Sequence, residues 1–209
     1  MEEEFVWISR LEISNKLKFR LIDKFNGIKN LYNSSLDDLV DIGLNDNLIY
    51  KILSKEKRGQ AKKDLEYMNK NNIKIIWYEN NLYPKKLKFI PDPPLCFYIR
   101  GNEKILDLES IGIVGSRKAF ESSLSFTKEI SKRLSLKGIN IISGLARGVD
   151  KYAHLGSLES KGKTVAVLGN GIEDENIYPY ENKRVFERIL ETGRSDNFRV
   201  SAKNKAISI

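Results

Sequence analysis

The sequence predicts an α/β fold, a parallel sheet with helices on both faces, preceded by a small all-helical module. Three observations carry that expectation. From Ser110 onward, strand-like runs alternate regularly with helix-like segments. The runs "SIGIV", "INIIS" and "TVAVL" are continuously apolar, as strands buried on both faces are. Ahead of them, Met1 to about Leu53 shows only helical spacing.

In the first block, Phe5, Ile8 and Leu11 fall at helical intervals, as do Leu17, Leu21 and Ile22. "NSSLDDLVDIG" reads as a capped helix. Ser34 or Ser35 precedes the apolar run, acids fill the first turn, and Gly43 is the stop. Residues 1–57 are therefore expected to form a small helical module, SAM-like or helix-hairpin-helix-like, and residues 58–209 the α/β core. Lys55 to Asn72 reads as a basic polar helix or linker with a solvated face. "IKIIWY" and "LCFYI" are strand candidates, separated by a stretch in which Pro84, Pro91, Pro93 and Pro94 act as breakers.

The core then follows in order. "SIGIVGSR" is a strand expected to be buried and to end in a glycine loop. "SLSFTKEISKRLSLKG" is an amphipathic helix with Leu124, Ile130 and Leu134 expected on its inner side and Gly138 as its stop. "INIISG", "VDKYAHLGSLESKG", "KTVAVLGNG" and "ENKRVFERILETG" complete two further strand–helix pairs.

Each of the three strands runs into a polar loop with glycine. The loops are Gly115-Ser116-Arg117, then Ser143 to Gly148 with Gly144 and Arg147, then Gly169-Asn170-Gly171. In a parallel sheet the carboxyl ends of strands share one edge, where ligands bind near a reversal of strand order. Glycines let backbone approach a ligand closely. Helix N-termini following the first two loops would present free N–H groups, and Arg117 and Arg147 carry forks shaped for phosphate oxygens. An anion site follows, open at this point to a nucleotide, a substrate or a nucleic-acid backbone.

Composition narrows the choice. A net charge of +8 and a pI near 9.4 suit polyanionic partners. The same charge also fits a Lys-rich composition. One cysteine, Cys96, offers no intramolecular disulfide. The opening "MEEEFVWISR" is acidic where a signal peptide is basic, and no apolar run approaches a membrane span, so a cytoplasmic protein without a membrane is expected.

Enzyme readings find little to stand on. "GIVGSRKAF" lacks the glycines of a dinucleotide loop, and "GNGIED" lacks the third. "GSLESKGKT" leads from a helix into a strand, the reverse of a P-loop, and its spacing is too long. His154 is the only histidine and is expected to pack near the sheet, which removes Ser–His and Cys–His chemistry. No His/Cys cluster has metal-ligand spacing. Asp150 and Asp174 lack a partner carboxylate, and Asp150 suits the first turn of a helix. No catalytic residue, metal or cofactor is expected.

"YPKKLKFIPDPPLCFYIRGN", "GIVGSR", "IISGLARGVDKYAH", "GKTVAVLGNGI" and "YPYEN" stand in the order and approximate spacing of the DNA-processing protein A family (DprA, also called Smf). The resemblance runs from about Tyr83 to Gly193. It implies an extended Rossmann-like core that is not an enzyme, forms homodimers, and binds single-stranded DNA through loops at the sheet edge. It also implies help in loading the RecA recombinase during recombination and natural transformation. The GSR turn carries over to Gly115, Ser116 and Arg117. The S-G-x-A-R-G-[IV]-D loop carries over to Ser143, Gly144, Ala146, Arg147, Gly148, Val149 and Asp150.

The carboxyl-terminal end departs from the family pattern. Members continue with a Ser-Glu strand, a proline-rich loop and an F-P-x-R-N-R block; here Gly193 is followed by "RSDNFRVSAKNKAISI". No strand is expected there, and the core is expected to be incomplete. Phe198, Lys203 and Lys205 resemble the aromatic and the cations of that block, and with Lys183 they are further candidates for DNA contact. Two other readings remain: a nucleotide-binding enzyme or sensor on the same fold, and a weakly functional remnant.

Overall fold

The computed structural model describes residues 2–169, 177–192 and 198–201. The chain forms two compact units, Met1–Glu79 with Lys85–Cys96, and Asn80–Pro84 with Phe97–Ile209.

Among the described residues the first unit holds six α-helices: α1 (Glu2–Ser9), α2 (Asn15–Lys24), α3 (Ile28–Tyr32), α4 (Leu36–Asp41), α5 (Asp46–Leu53) and α6 (Lys55–Lys70). Short polar residues start four of them, α2, α4, α5 and α6. Ser14 accepts from the Leu17 N–H, Asn45 from Leu48 and Ser54 from Lys57. Ser35 and Asp38 form a reciprocal capping box at α4, and Gly43 follows that helix at φ 76°. The interior is built on Trp7, Ile8, Leu11, Leu31, Leu39 and Ile52, all fully buried. Trp7 meets Tyr32 edge-on, with ring centroids 5.1 Å apart.

This unit extends beyond residue 57 because α6 packs along α1. Arg10 donates to Asp64 and to Gln60, and Ala61 and Met68 are buried. Strand β1 (Ile73–Trp77) belongs here too, with Trp77 stacked on Phe5 at 4.9 Å.

The second unit is α/β. Its strands are β2 (Cys96–Gly101, from Phe97 on), β3 (Ser110–Gly112), β4 (Asn140–Ser143), β5 (Thr164–Leu168) and β6 (Phe198–Ser201). They lie in the order β2-β6-β5-β4-β3. β3, β4, β5 and β6 run parallel, with Ile111 opposite Ile141, Ile142 opposite Val165 and Val167 opposite Val200. β2 pairs antiparallel to β6. Helices α7 (Glu121–Leu136), α8 (Val149–Glu159) and α9 (Lys183–Thr192) connect the parallel strands, and α8 packs against both its neighbours.

Three local expectations are corrected. β3 is the edge strand rather than a buried one, and Ile111 and Val114 are exposed. The inner side of α7 is not Leu124, Ile130 and Leu134. Thr127, Ser131 and Ser135 are buried there, Ile130 is exposed, and the two leucines are half-buried. Finally, a strand does follow the third helix: "FRVS" forms β6, a run too short to register as a periodic pattern.

The small residues on α7 are explained by how closely α8 approaches. A Cβ on Gly156 would lie 2.2 Å from the Lys128 carbonyl oxygen and 2.8 Å from Ser131 Cβ. Ser135 donates to Ser157, which donates to the Lys163 carbonyl, at 2.9 Å in each case. Beneath them His154 is fully buried, with Nδ1 2.7 Å from Thr164 Oγ1. The Thr164 hydroxyl donates to the Ile141 carbonyl, so the His154 proton sits on Nδ1. Burial pushes the His154 pKa down from 6.5 to about 3.

Gly156→Ala should cost about 2 kcal/mol by overpacking, read as a Tm lower by several degrees. Gly59→Ala in α6, with nothing within 4 Å of its Cβ, should hold or raise Tm. His154 is neutral when folded and takes up a proton when unfolded. Its contribution to stability is complete above pH 6.5 and is lost as pH falls toward 3, at about 1.4 kcal/mol per unit. Urea midpoints between pH 7 and 4 measure that slope, which His154→Asn should flatten.

Candidate functional site

The loops after β3 and β4 are brought together because those strands are adjacent. Among the described parallel strands the order does not reverse. Pairing continues past the strand ends: the Ile113 N–H donates to the Ile142 carbonyl at 2.9 Å, and Ser143 Oγ donates to the Ile113 carbonyl at 2.6 Å. Gly148 then takes φ 70°. A Cβ there would stand 2.2 Å from the Ser116 carbonyl oxygen and 2.9 Å from that of Arg117. The Val149 N–H donates to the same Ser116 carbonyl at 3.2 Å, and a Cβ on Gly115 would meet the Val149 side chain at 2.9 Å. The two loops touch backbone to backbone.

Both serine hydroxyls hold the loops in shape. Ser116 Oγ donates to the Lys118 carbonyl at 2.7 Å and accepts from the Lys118 N–H, while Ser143 bridges to Ile113 as above. Asp150 is buried at the start of α8. One of its oxygens accepts from the Gly144 N–H at 3.1 Å and the Ala146 N–H at 3.4 Å. Leu145 lies between those residues at φ 57°, a left-handed conformation uncommon for a side-chain-bearing residue. Its side chain is fully buried among Leu158, Ala166, Leu168, Ile177, Val185, Phe186 and Ile189. Asn182, also fully buried, donates to the Leu145 carbonyl at 2.8 Å and the Ala146 carbonyl at 3.0 Å.

These contacts revise the expected supply of free N–H groups. Those of Gly144 and Ala146 are taken by Asp150, and that of Val149 by Ser116. Helix α7 starts at Glu121, four residues beyond Arg117, so its N-terminus does not open directly from the GSR turn.

The cations differ in circumstance. Arg117 is exposed. Arg147 is exposed and held by Glu181, with Nε 2.5 Å from Oε1 and Nη2 2.9 Å from Oε2. The hydrogen bonds from Arg147 lower the Glu181 pKa below the usual carboxylate range, and Glu181 raises that of Arg147. The Arg147 guanidinium lies 5.9 Å from the Tyr178 ring centroid, and Lys183 Nζ lies 5.7 Å from that of Tyr180. Gly169 is exposed just after β5. Asn170, Gly171, Lys203 and Lys205 lie outside the described residues, and Phe198 is described only as the first backbone position of β6.

Asn182, Glu181, Tyr178 and Tyr180 carried no role in the sequence reading. All four lie in "YPYEN" just before α9, a segment without the glycine–arginine signature of the other loops. Among the described residues no group of three or more His, Cys, Asp or Glu side chains is placed to hold a metal ion. No helix among them is long and apolar enough to cross a membrane.

Fold and loops define a Rossmann-like α/β domain that presents two locked glycine–arginine loops at the carboxyl edge of its sheet. Residues 74–195, more than half of the chain, match the family of DNA recombination-mediator protein A, and the chain belongs to that family. It is 30% identical over 199 residues to the Smf protein of Synechocystis sp., covering 91% of this chain and 50% of that protein. The structure is similar to DNA processing protein A from Streptococcus pneumoniae at TM-score 0.72 and 24% identity, covering 97% of this chain and 67% of that one. It is also similar to DNA processing protein A from Helicobacter pylori, whose structure gives insight into a unique single-stranded DNA binding mode. There the TM-score is 0.53 and the identity 25%, over 66% of this chain and 58% of that one. The chain spans half or less of the length of the curated relatives it matches.

Asn182→Leu removes both donations to the Leu145–Ala146 turn and should cost about 2 kcal/mol, since buried carbonyls are left unpaired. Urea unfolding measures the cost. Hydrogen exchange should show the amides of Gly144 to Gly148 opening faster than in the parent.

Proposed function

We propose that this chain is a non-enzymatic, cytoplasmic recombination mediator that binds single-stranded DNA at the paired loops, hands the strand to RecA and acts as a homodimer. The observation that carries the reading is the backbone lock of Gly148 on Ser116 and Arg117. It fixes two arginine-bearing loops at one sheet edge, where the family match runs through both. Gly115, Ser116, Ser143, Gly144 and Gly148 act by shaping the loops. Arg117 and Arg147 supply the charge, and Lys183, Gly169, Asn170, Gly171, Lys203 and Lys205 are further candidate contacts; Phe198, level with Val165 at the start of β5, lies at the end of the sheet away from these loops. Phosphate contacts give affinity without sequence preference. The net charge of +8 favours the same class of partner.

Fluorescence anisotropy with labelled oligo-dT tests this. Binding should weaken steeply with salt, and Arg117→Ala with Arg147→Ala should flatten the dependence of log K on log salt by about two units, one for each cation removed. Salt-insensitive binding, or binding unchanged in the double variant, overturns the reading. So does thermal stabilisation by a mononucleotide in the absence of any effect of oligonucleotides.

A further inference from the structure

The residues around Arg147 show how a strand would be taken up, an inference that rests on the reading of this edge as a single-stranded DNA site. Arg147 does not offer an open fork. Both of its hydrogen-bonding faces used here, Nε and Nη2, are closed by the two carboxylate oxygens of Glu181, at 2.5 and 2.9 Å. A carboxylate and a phosphate present the same pair of acceptor oxygens to a guanidinium. Glu181 therefore stands where a phosphate would stand. The pair is solvent-exposed on both sides, so its opening uncovers no buried charge.

Beside this pair, Tyr178 and Tyr180 are 68% and 75% exposed. Each carries a cation near its ring, Arg147 at 5.9 Å and Lys183 at 5.7 Å. An open aromatic face next to a cation is the pairing that single-stranded nucleic acid uses, one for the base and one for the backbone. A duplex keeps its base faces stacked and cannot offer them.

We propose that the segment from Tyr178 to Lys183 is the strand-selecting wall of the site. Tyr178 and Tyr180 stack on unpaired bases, and Glu181 is a latch that occupies Arg147 until a backbone phosphate displaces it. The latch sets a threshold. A strand that brings only phosphates must compete with Glu181, whereas a strand that also brings open base faces gains the two tyrosines. The segment thereby favours single strands over duplexes and over bare polyanions.

The full chain is assayed by anisotropy against three probes: oligo-dT, an abasic deoxyribose-phosphate oligomer of equal length, and a duplex. Tyr178→Leu with Tyr180→Leu should weaken dT binding at least tenfold and leave the abasic probe within twofold. Glu181→Gln should tighten dT and abasic binding at least threefold and steepen the salt dependence. Near-UV circular dichroism and Tm verify that these exposed substitutions leave the fold intact. The proposal is overturned if Glu181→Gln binds no more tightly, if the tyrosine variant is unchanged, or if it loses dT and abasic binding equally. A parent that binds no probe overturns the single-strand reading together with this one. A parent that binds dT through Arg117 and Arg147 but is indifferent to all three wall substitutions overturns only the wall.

Discussion

Two backbones meet at Gly148, and the arrangement of the edge depends on their spacing. The Ser116 carbonyl oxygen stands where any β-carbon on residue 148 would be, and the next amide, Val149, donates to that oxygen. The loop after β3 is therefore positioned by the loop after β4. That second loop is in turn positioned by α8, through the Asp150 carboxylate, and by the turn before α9, through Asn182. The chain of dependence runs through backbone groups and buried polar side chains. It leaves the arginines at its outer end free to differ in what they do.

The sequence points to the serines and glycines of these loops as candidate ligand contacts. In the folded chain their first task is to make the loops possible. Ser143 ties two strand ends, Ser116 closes its own turn, and the amides of Gly144 and Ala146 are neutralised by Asp150. A negative charge buried at a helix start is favourable for the helix. It also takes the place that an incoming anion would otherwise have at those amides. Charge for a ligand is left to the side chains, which is why the state of Arg147 matters more than the count of glycines.

Much of the fold was legible because the strand–helix alternation and the three glycine loops are local signals. What escaped was set by position or by distance along the chain. "SIGIV" is as apolar as a central strand, yet β3 is the edge, and a strand's place in a sheet is not written in its own composition. On α7 hydrophobic periodicity pointed to Leu124, Ile130 and Leu134. The buried stripe is Thr127, Ser131 and Ser135, since α8 approaches through Gly156 too closely for larger side chains. β6 has four residues, too few for a period. The Arg147–Glu181 pair joins residues thirty-four apart, and no spacing rule reaches that far. The legible part of the candidate site was thus its glycines and arginines. The illegible part was what "YPYEN" contacts, Glu181 pairing with Arg147 and Asn182 donating to the Leu145 and Ala146 carbonyls.

Leu145 has a consequence of its own. Its backbone sits in a region that most residues avoid, and its side chain is anchored in the core between β5, α8 and α9. Left-handed backbone of this kind costs of order 1–3 kcal/mol and persists only where the surroundings over-determine it. The loop's shape is therefore fixed by folding and does not wait for a ligand. A flexible loop would lose conformational entropy each time a partner bound it, whereas a preorganised one gives up little. At this edge any change of partners is therefore left to the side chains of a rigid frame, with the ordering already done when the core closes around one leucine.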